Sequence, residues 1–590
     1  EQIEEEIGAL STDEHAEALA LAAEVSPVSL LPAEMELDPI VDARIEVASE
    51  MVTPTSPHFH ESLRVRGGAG HGVTGVAGAI DRLTQEIILS MEERPTIVIW
   101  IFDQSASLYR QRQWLHERVK RIYTELGVLR ESGHLTGVER FKEPLLTSVL
   151  SFGQEVHWHA DRTADVNEIE RAIAAIQLDP SGVERVFTAI YLAAKKYQRY
   201  RFRTKEVEPR RNVMLIVFTD EAGNDTEGLE ETVKLCRRYA MPVYVVGAPA
   251  PFGRRVTKMK WVDPDPRYSQ QPQWVQIEQG PESLRPERLK LYFSGDQSDP
   301  IIDSGFGPFA LTRLCVETGG IFFTVHANRQ IGRSVSRRET TPFSSHFERF
   351  FDPEVMKRYQ PDYVPAEVYL KRLRQNRARA ALVQAAKLSW VTPLQSPRLR
   401  FVKRDEATFA REITEAQKGP AKLEPQVEAI YAVLKEGESD RAKEESPRWQ
   451  AGYDLAMGRT LAILVRTQSY NAMLAKAKRG LKFKNPRNNT WVLRPSDEIT
   501  VSTKLKGAAK KARAYLQRVV NEHPGTPWAY LAEKELAIPL GWTWTESYTN
   551  LNPPRRRPSA GGNNNRPRPP RNPQPRRIPR PPPKRKPPKV

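Results

Sequence analysis

The chain has 590 residues, 39% of them hydrophobic, so it is long enough for several domains and at least one large core. Only two cysteines occur, Cys236 and Cys315, which excludes a disulfide-stapled scaffold and a cysteine-based zinc or iron–sulfur site. The net charge of +16 is unevenly placed: residues 1–50 hold 14 acidic residues and one basic residue, whereas 553–590 hold 13 basic residues and no acidic one.

The N-terminal part is predicted to be an acidic arm and a Gly-rich linker over residues 1–78, followed by a helix over 79–95. Residues 70–75 match the dinucleotide pattern Gly-x-Gly-x-x-Gly, but no convincing strand precedes them, so a flexible linker is favoured. The sequence begins at Glu1 rather than Met, which suggests that a leading segment such as a secretory signal has been removed. We therefore expect an extracytoplasmic location (secreted, periplasmic or cell-surface), with a cytoplasmic location as the alternative.

Strands and helices alternate over residues 96–327, with helical patterns between apolar runs. The buried strands are predicted at 96–103, 212–220, 242–247 and 321–325. This alternation indicates an α/β fold with a doubly wound, mainly parallel sheet and helices on both faces.

A long insert, residues 248–308, interrupts the alternation and is rich in proline and aromatic residues. Because it follows a parallel strand, it should lie at the carboxyl edge of the sheet. We expect a partly ordered cover or a partner-facing surface, with a structureless loop as the alternative.

Residues 328–360 are predicted to be a linker and 361–548 an all-helical domain. Thr526 is expected to cap a helix that has Pro527 in its first turn. Residues 512–536, which contain this turn, loosely resemble a tetratricopeptide-type helical repeat. No clean 34-residue period is visible, so a non-repeat bundle remains equally open.

Residues 549–590 are predicted to form a disordered, basic tail rich in proline. Its positive charges could bind nucleic acid, another anionic polymer or a membrane surface without reading sequence. A polyproline-type ligand and a plain linker end are the alternatives. No apolar run reaches the roughly 18 residues of a membrane helix, so no transmembrane segment is expected.

The residues that could carry chemistry are oxygen donors at the ends of predicted strands. Asp103, Ser105 and Ser107 follow the first buried strand, Thr188 begins a helix, and Asp220 ends a second buried strand. Carboxylates and hydroxyls are the ligands that a hard divalent cation prefers. The alternative is a metal-free helix cap made by the serine side chains.

This pattern resembles the von Willebrand factor type A (VWA) domain and its metal-ion-dependent adhesion site. The family pattern is Asp-x-Ser-x-Ser, a distant Thr, and an Asp that ends a strand, and all five positions are matched. The resemblance implies a divalent cation, with Mg²⁺ favoured over Mn²⁺ or Ca²⁺, whose open position accepts a carboxylate from a partner protein. One departure is Glu221, where many relatives have Gly.

We therefore predict a non-enzymatic, metal-dependent protein-interaction or adhesion module, because the site offers no obvious nucleophile or general base. No small-molecule substrate is expected. The alternative functions are an intracellular scaffold or adaptor of a larger assembly, such as an AAA-type ATPase complex, and anionic-polymer binding through the tail.

Overall fold

The structure is a computed structural model that describes residues 68–71, 75–105, 108, 123, 143–202, 210–294, 299–388, 397–551 and 582–587. The predicted acidic arm and most of the Gly-rich linker, residues 1–67, lie outside the described residues.

The strands belong to three sheets. They are β1 (Gly68–His71), β2 (Thr96–Asp103), β3 (Leu145–Phe152), β4 (Val156–Thr163), β5 (Asn212–Thr219), β6 (Val243–Gly247), β7 (Val256–Trp261), β8 (Gln273–Glu278), β9 (Ile321–Thr324), β10 (Arg400–Val402), β11 (Thr490–Ser496) and β12 (Gly541–Ser547). The helices are α1 (Gly75–Glu93), α2 (Val166–Ala174), α3 (Val186–Tyr197), α4 (Leu229–Arg238), α5 (Phe309–Thr318), α6 (Pro353–Met356), α7 (Ala366–Gln375), α8 (Arg377–Leu388), α9 (Glu406–Glu436), α10 (Pro447–Lys478), α11 (Thr503–Glu522) and α12 (Pro527–Leu536).

The main sheet has seven strands in the order β1-β9-β6-β5-β2-β3-β4. All neighbouring pairs are parallel except β3–β4. From β2 the chain proceeds to one side through β3 and β4, and then to the other side through β5, β6 and β9. The order of the strands therefore reverses between β2 and β5, which is where open α/β sheets form a crevice at their carboxyl edge.

Helices cover both faces of this sheet, as the strand–helix alternation predicts. Successive β2 residues enter two different buried clusters, with Ile99 in one and Trp100 in the other. Helices α3, α4 and α5 pack on the Ile99 face, and α1 and α2 pack on the Trp100 face. Both cysteines are free and buried on α4 and α5.

The Gly-rich segment is not entirely a linker, because Gly68–His71 forms the edge strand β1 beside β9. The strand includes Gly70 and His71, the first two residues of the Gly-x-Gly-x-x-Gly motif, whereas the sequence predicted a flexible linker there. The signal was weak because the strand has only four residues, two of them glycines.

The insert is folded, and the structureless alternative is wrong. Strands β7 and β8 form an antiparallel hairpin, and Leu289, Leu291 and Phe293 then enter the same core as α8, α9 and α10. The insert therefore joins the sheet domain to the helical region.

The predicted linker over 328–360 is packed rather than extended. Phe347 and Phe350 form a small core with Val335, and their rings contact the buried His326. Met356 belongs to a larger cluster that includes residues of α10, α11 and α12.

The C-terminal region is mostly helical, but the prediction that it is all-helical is wrong. Strands β10, β11 and β12 form an antiparallel sheet whose tryptophans pack against α10. The indole nitrogens of Trp542 and Trp544 donate to the carbonyls of Arg466 and Met473, both at 3.0 Å.

None of the helices within the described residues combines the length and the hydrophobicity that a membrane span requires.

The end of the tail also departs from the prediction of disorder over 549–590. Residues 582–587 lie against the insert, where Arg585 pairs with Asp263. The positive charge of Arg585 thus gives this part of the tail an ion pair with the insert.

Candidate functional site

Asp103, the last residue of β2, is fully buried and held by two donors. Its Oδ1 accepts a hydrogen bond from the Ser105 amide at 2.7 Å. Its Oδ2 accepts one from the Thr219 hydroxyl at 2.9 Å, because β2 and β5 are parallel neighbours in register. The carboxylate is thereby fixed at the point where the strand order reverses.

Thr188 lies in the first turn of α3 and is held by Asp225, a residue that the sequence motif did not include. Asp225 Oδ2 accepts from both the amide and the hydroxyl of Thr188, each at 2.7 Å. Asp225 Oδ1 accepts from the Phe187 amide at 3.2 Å. Because the Thr188 proton points to Asp225, the lone pairs of Thr188 Oγ1 remain available to a cation.

The loop after β5 is tied to the loop before α3 and to the insert. The Asn224 amide donates to the Glu184 carbonyl at 2.8 Å, and the Glu184 amide donates to Asn224 Oδ1 at 2.6 Å. The Ala222 amide donates to the carbonyl of Glu278, at the end of β8, at 3.0 Å. The insert thus lies at the same edge of the sheet as Asp103, as its position after a parallel strand predicts.

This loop needs Gly223 for two reasons. Its φ is 82°, in the left-handed region that favours glycine. A Cβ there would also meet Val186 Cγ1 at 2.4 Å. The close approach brings the segment after Asp220 against the start of α3.

Two further carboxyl groups, the buried Glu184 and Glu221, complete an acidic cluster with the buried Asp103 and the half-buried Asp220. Neither Glu184 carboxyl oxygen accepts a hydrogen bond from the described residues. Burial, and then the negative charges of Asp103, Glu221 and Asp220, raise the pKa of Glu184 well above its usual range. Burial, followed by Asp220 and Asp103, raises the pKa of Glu221 to about 9.

The structure brings together most of the residues that the sequence singled out. Asp103, Ser105 and Asp220 lie at one edge, and Thr188 is joined to it through Asp225. Ser107 lies outside the described residues. Sequence reasoning noted Glu221 as a departure but missed Glu184 and Asp225, because neither belongs to a recognisable motif.

The charge of this donor set suits a cation. Buried carboxyl groups that repel one another, one of them without a donor, are what a positive charge would stabilise. In the described part of the chain, however, no group of three or more His, Cys, Asp or Glu side chains is arranged to hold a metal ion. Carboxylates alone therefore do not form a ligand shell here, and neutral hydroxyls would have to contribute.

No protein-family model matches the chain, and no curated protein matches it. Among solved structures, it is similar to the conserved hypothetical protein BatB from Bacteroides thetaiotaomicron, with 14% identity, a TM-score of 0.23, and coverage of 39% of this chain and 90% of that chain. An aerotolerance-related membrane protein from Bacteroides fragilis gives 14% identity, a TM-score of 0.22, and coverage of 39% and 92%. Proximal thread matrix protein 1 from the mussel byssus gives 16% identity and a TM-score of 0.19, with coverage of 26% of this chain and 36% of that chain. Similarities at this level carry no inference about this chain.

Proposed function

We propose that the carboxyl edge of the main sheet binds a divalent cation, Mg²⁺ foremost and Mn²⁺ or Ca²⁺ as alternatives, in a VWA-type domain. The observation that carries this proposal is the buried Glu184 carboxyl, which lies among the carboxyl groups of Asp103, Asp220 and Glu221 and whose pKa is raised by burial and by their negative charges. A cation would offset the repulsion between these groups. The reversal of strand order at β2 and β5 supports the same location.

The ligands would be Asp103 and Asp220, directly or through water, together with the hydroxyls of Ser105, Ser107 and Thr188. The Ser105 amide and the Thr219 hydroxyl orient Asp103, and Asp225 orients Thr188. A bound cation supplies an electrophilic centre that can accept a carboxylate from a partner.

The function that fits this chemistry is metal-dependent protein interaction rather than catalysis. The site presents acidic and hydroxyl oxygens, and we assign none of them the role of nucleophile or general base. The natural ligand would be a protein that offers an acidic side chain. The insert is well placed to contribute to recognition, because Glu278 at the end of β8 contacts the loop after Asp220.

Metal binding is tested by thermal unfolding of the full chain with EDTA, Mg²⁺, Mn²⁺ or Ca²⁺. A ligand at about 100 times its Kd should stabilise the native state by about 2.7 kcal/mol and raise the Tm. Asp103→Asn should abolish that rise. Asp405→Asn is the matched control, because exposed Asp405 caps α9 and lies in the helical region. An equal metal response in the Asp103 variant would contradict the assignment.

Partner binding is tested by affinity capture from the native source with the full chain as bait. Capture of a protein that is lost both with EDTA and with the Asp103→Asn bait is expected. A partner retained equally under both conditions would exclude the metal from recognition.

A further inference from the structure

The tip of the β7–β8 hairpin holds a segment of the C-terminal tail. Arg585 Nη2 lies 2.6 Å from Asp263 Oδ1, and Arg585 Nε lies 3.0 Å from Asp263 Oδ2. These two parallel contacts are the bidentate geometry that gives Arg–carboxylate pairs their specificity. The Asp263 side chain is only 1% exposed, whereas that of Arg585 is 45% exposed.

The hairpin tip also contacts the backbone of the tail. The Ser269 amide donates to the Pro583 carbonyl at 3.0 Å, and Gln273 Nε2 donates to the Arg585 carbonyl at 3.0 Å. The Arg585 guanidinium lies 4.6 Å from the centre of the Tyr268 ring. The hairpin tip therefore contacts one side chain and two backbone carbonyls of the tail at the same place.

The contacts distinguish Arg585 from its basic neighbours. Lys584 and Lys586 carry the same charge, yet neither makes an ion pair within the described residues. General attraction of a basic tail would favour all three residues equally. The buried Asp263 carboxylate selects one of them, and without Arg585 it would lose that cationic partner.

We propose that Asp263, Tyr268, Ser269 and Gln273 form a recognition site for an extended peptide containing proline and arginine, and that residues 582–587 occupy it in the same chain. The tail is then a resident ligand. A peptide of the same chemistry gains access only when the tail leaves. Competition from the tail therefore weakens the binding of such a partner. This site is at the hairpin tip, whereas the hairpin base contacts the candidate metal edge through Glu278.

The probe is a fluorescent peptide of residues 578–590, titrated by fluorescence anisotropy into full-length chains at physiological ionic strength, where exposed charges are partly screened. The wild-type chain should bind weakly, because its own tail competes at an effective concentration of about millimolar. Arg585→Ala in the chain should open the site and raise the peptide's affinity by about tenfold or more. Lys586→Ala in the chain, the matched control, should behave like the wild type.

Changes in the peptide test recognition without altering the protein. Against the Arg585→Ala chain, a peptide carrying Arg585→Ala should lose about tenfold or more in affinity, as should one carrying Arg585→Lys, because lysine lacks the planar fork. A peptide carrying Lys586→Ala should bind nearly as well as the unchanged peptide. Equal binding of all these peptides would overturn the proposal.

Two further results test whether the tail occupies the site and whether it does so in the same chain. If the Arg585→Ala chain binds the peptide no better than the wild type does, the tail does not occupy the site. If the wild-type chain is a dimer by light scattering and Arg585→Ala makes it a monomer, the tail docks on a second copy, and the same-chain assignment is wrong. EDTA should leave peptide binding unchanged, so failure here is distinguishable from failure of the metal proposal.

Discussion

His326, just after β9, shows how one buried side chain can make stability depend on pH. Its Nε2 lies 2.9 Å from the Ser345 carbonyl, and its Nδ1 accepts from the Asn328 amide at 3.1 Å. Because an amide can only donate, these contacts fix a neutral ring with its proton on Nε2. Burial lowers the pKa of His326 to about 4 from its usual 6.5.

A group with a lowered histidine pKa binds more protons in the unfolded chain, so its stabilisation is present above pH 6.5 and is lost as the pH falls toward 4. At pH 5 the loss from this residue should be about 2 kcal/mol. We expect the destabilisation caused by His326→Asn to be smaller at pH 5 than at pH 7.5 by this amount. Urea unfolding of both proteins at the two pH values measures it, and an equal penalty at both would refute the argument.

The candidate site was only partly predictable from the sequence. Asp103, Thr188 and Asp220 could be found because each stands at the boundary of an apolar run or helical pattern. Glu184 and Asp225 could not, because their roles depend on how two loops meet across the sheet edge. No local period or spacing encodes such a meeting.

Among the elements, α12 begins where local sequence chemistry says it should. Thr526 Oγ1 accepts from the Ala529 amide at 3.3 Å and donates to the His523 carbonyl at 2.7 Å. Pro527 occupies the first turn, which confirms the predicted cap. Thr526→Ala should destabilise the protein by about 1 kcal/mol, whereas Thr526→Ser should recover most of that loss because it keeps the hydroxyl. Urea midpoints would compare them; an equal loss in both variants would attribute the effect to the methyl group instead.

Other elements show what decides whether a strand can be predicted. β2 was predicted at its observed bounds, because a buried parallel strand has a continuous apolar sequence. β11 and β12 were missed. β11 contains Pro495, and β12 alternates tryptophan and threonine for only a few residues. Their pairing joins segments far apart in sequence, so helical patterns nearby dominated the prediction.

The insert and the helical region are joined by a buried charge network. Arg448, at the start of α10, places Nε 2.8 Å from Glu287 Oε2 and Nη2 3.3 Å from Glu282 Oε1. The Tyr369 hydroxyl donates to Glu287 Oε1 at 2.9 Å. All four side chains are buried. The insert is therefore part of the core, and its removal should unfold the helical region rather than merely expose the sheet edge.

Arg448→Met tests this connection, because it keeps apolar bulk but leaves Glu282 and Glu287 buried without their cation. Breaking one partner of a buried ion pair should destabilise the chain by about 3–5 kcal/mol. Arg513→Met is the control, because Arg513 pairs with Asp497 at 2.8 Å on the surface, where an ion pair contributes less than about 1 kcal/mol.

Urea unfolding followed by circular dichroism gives both values, and adding Glu287→Gln to Arg448→Met should restore part of the loss, because it removes one unpaired charge. If Arg448→Met cost no more than the surface control, the network would not couple the insert to the helices. The two regions would then be held together by other contacts, among them the apolar contacts of Leu289, Leu291 and Phe293.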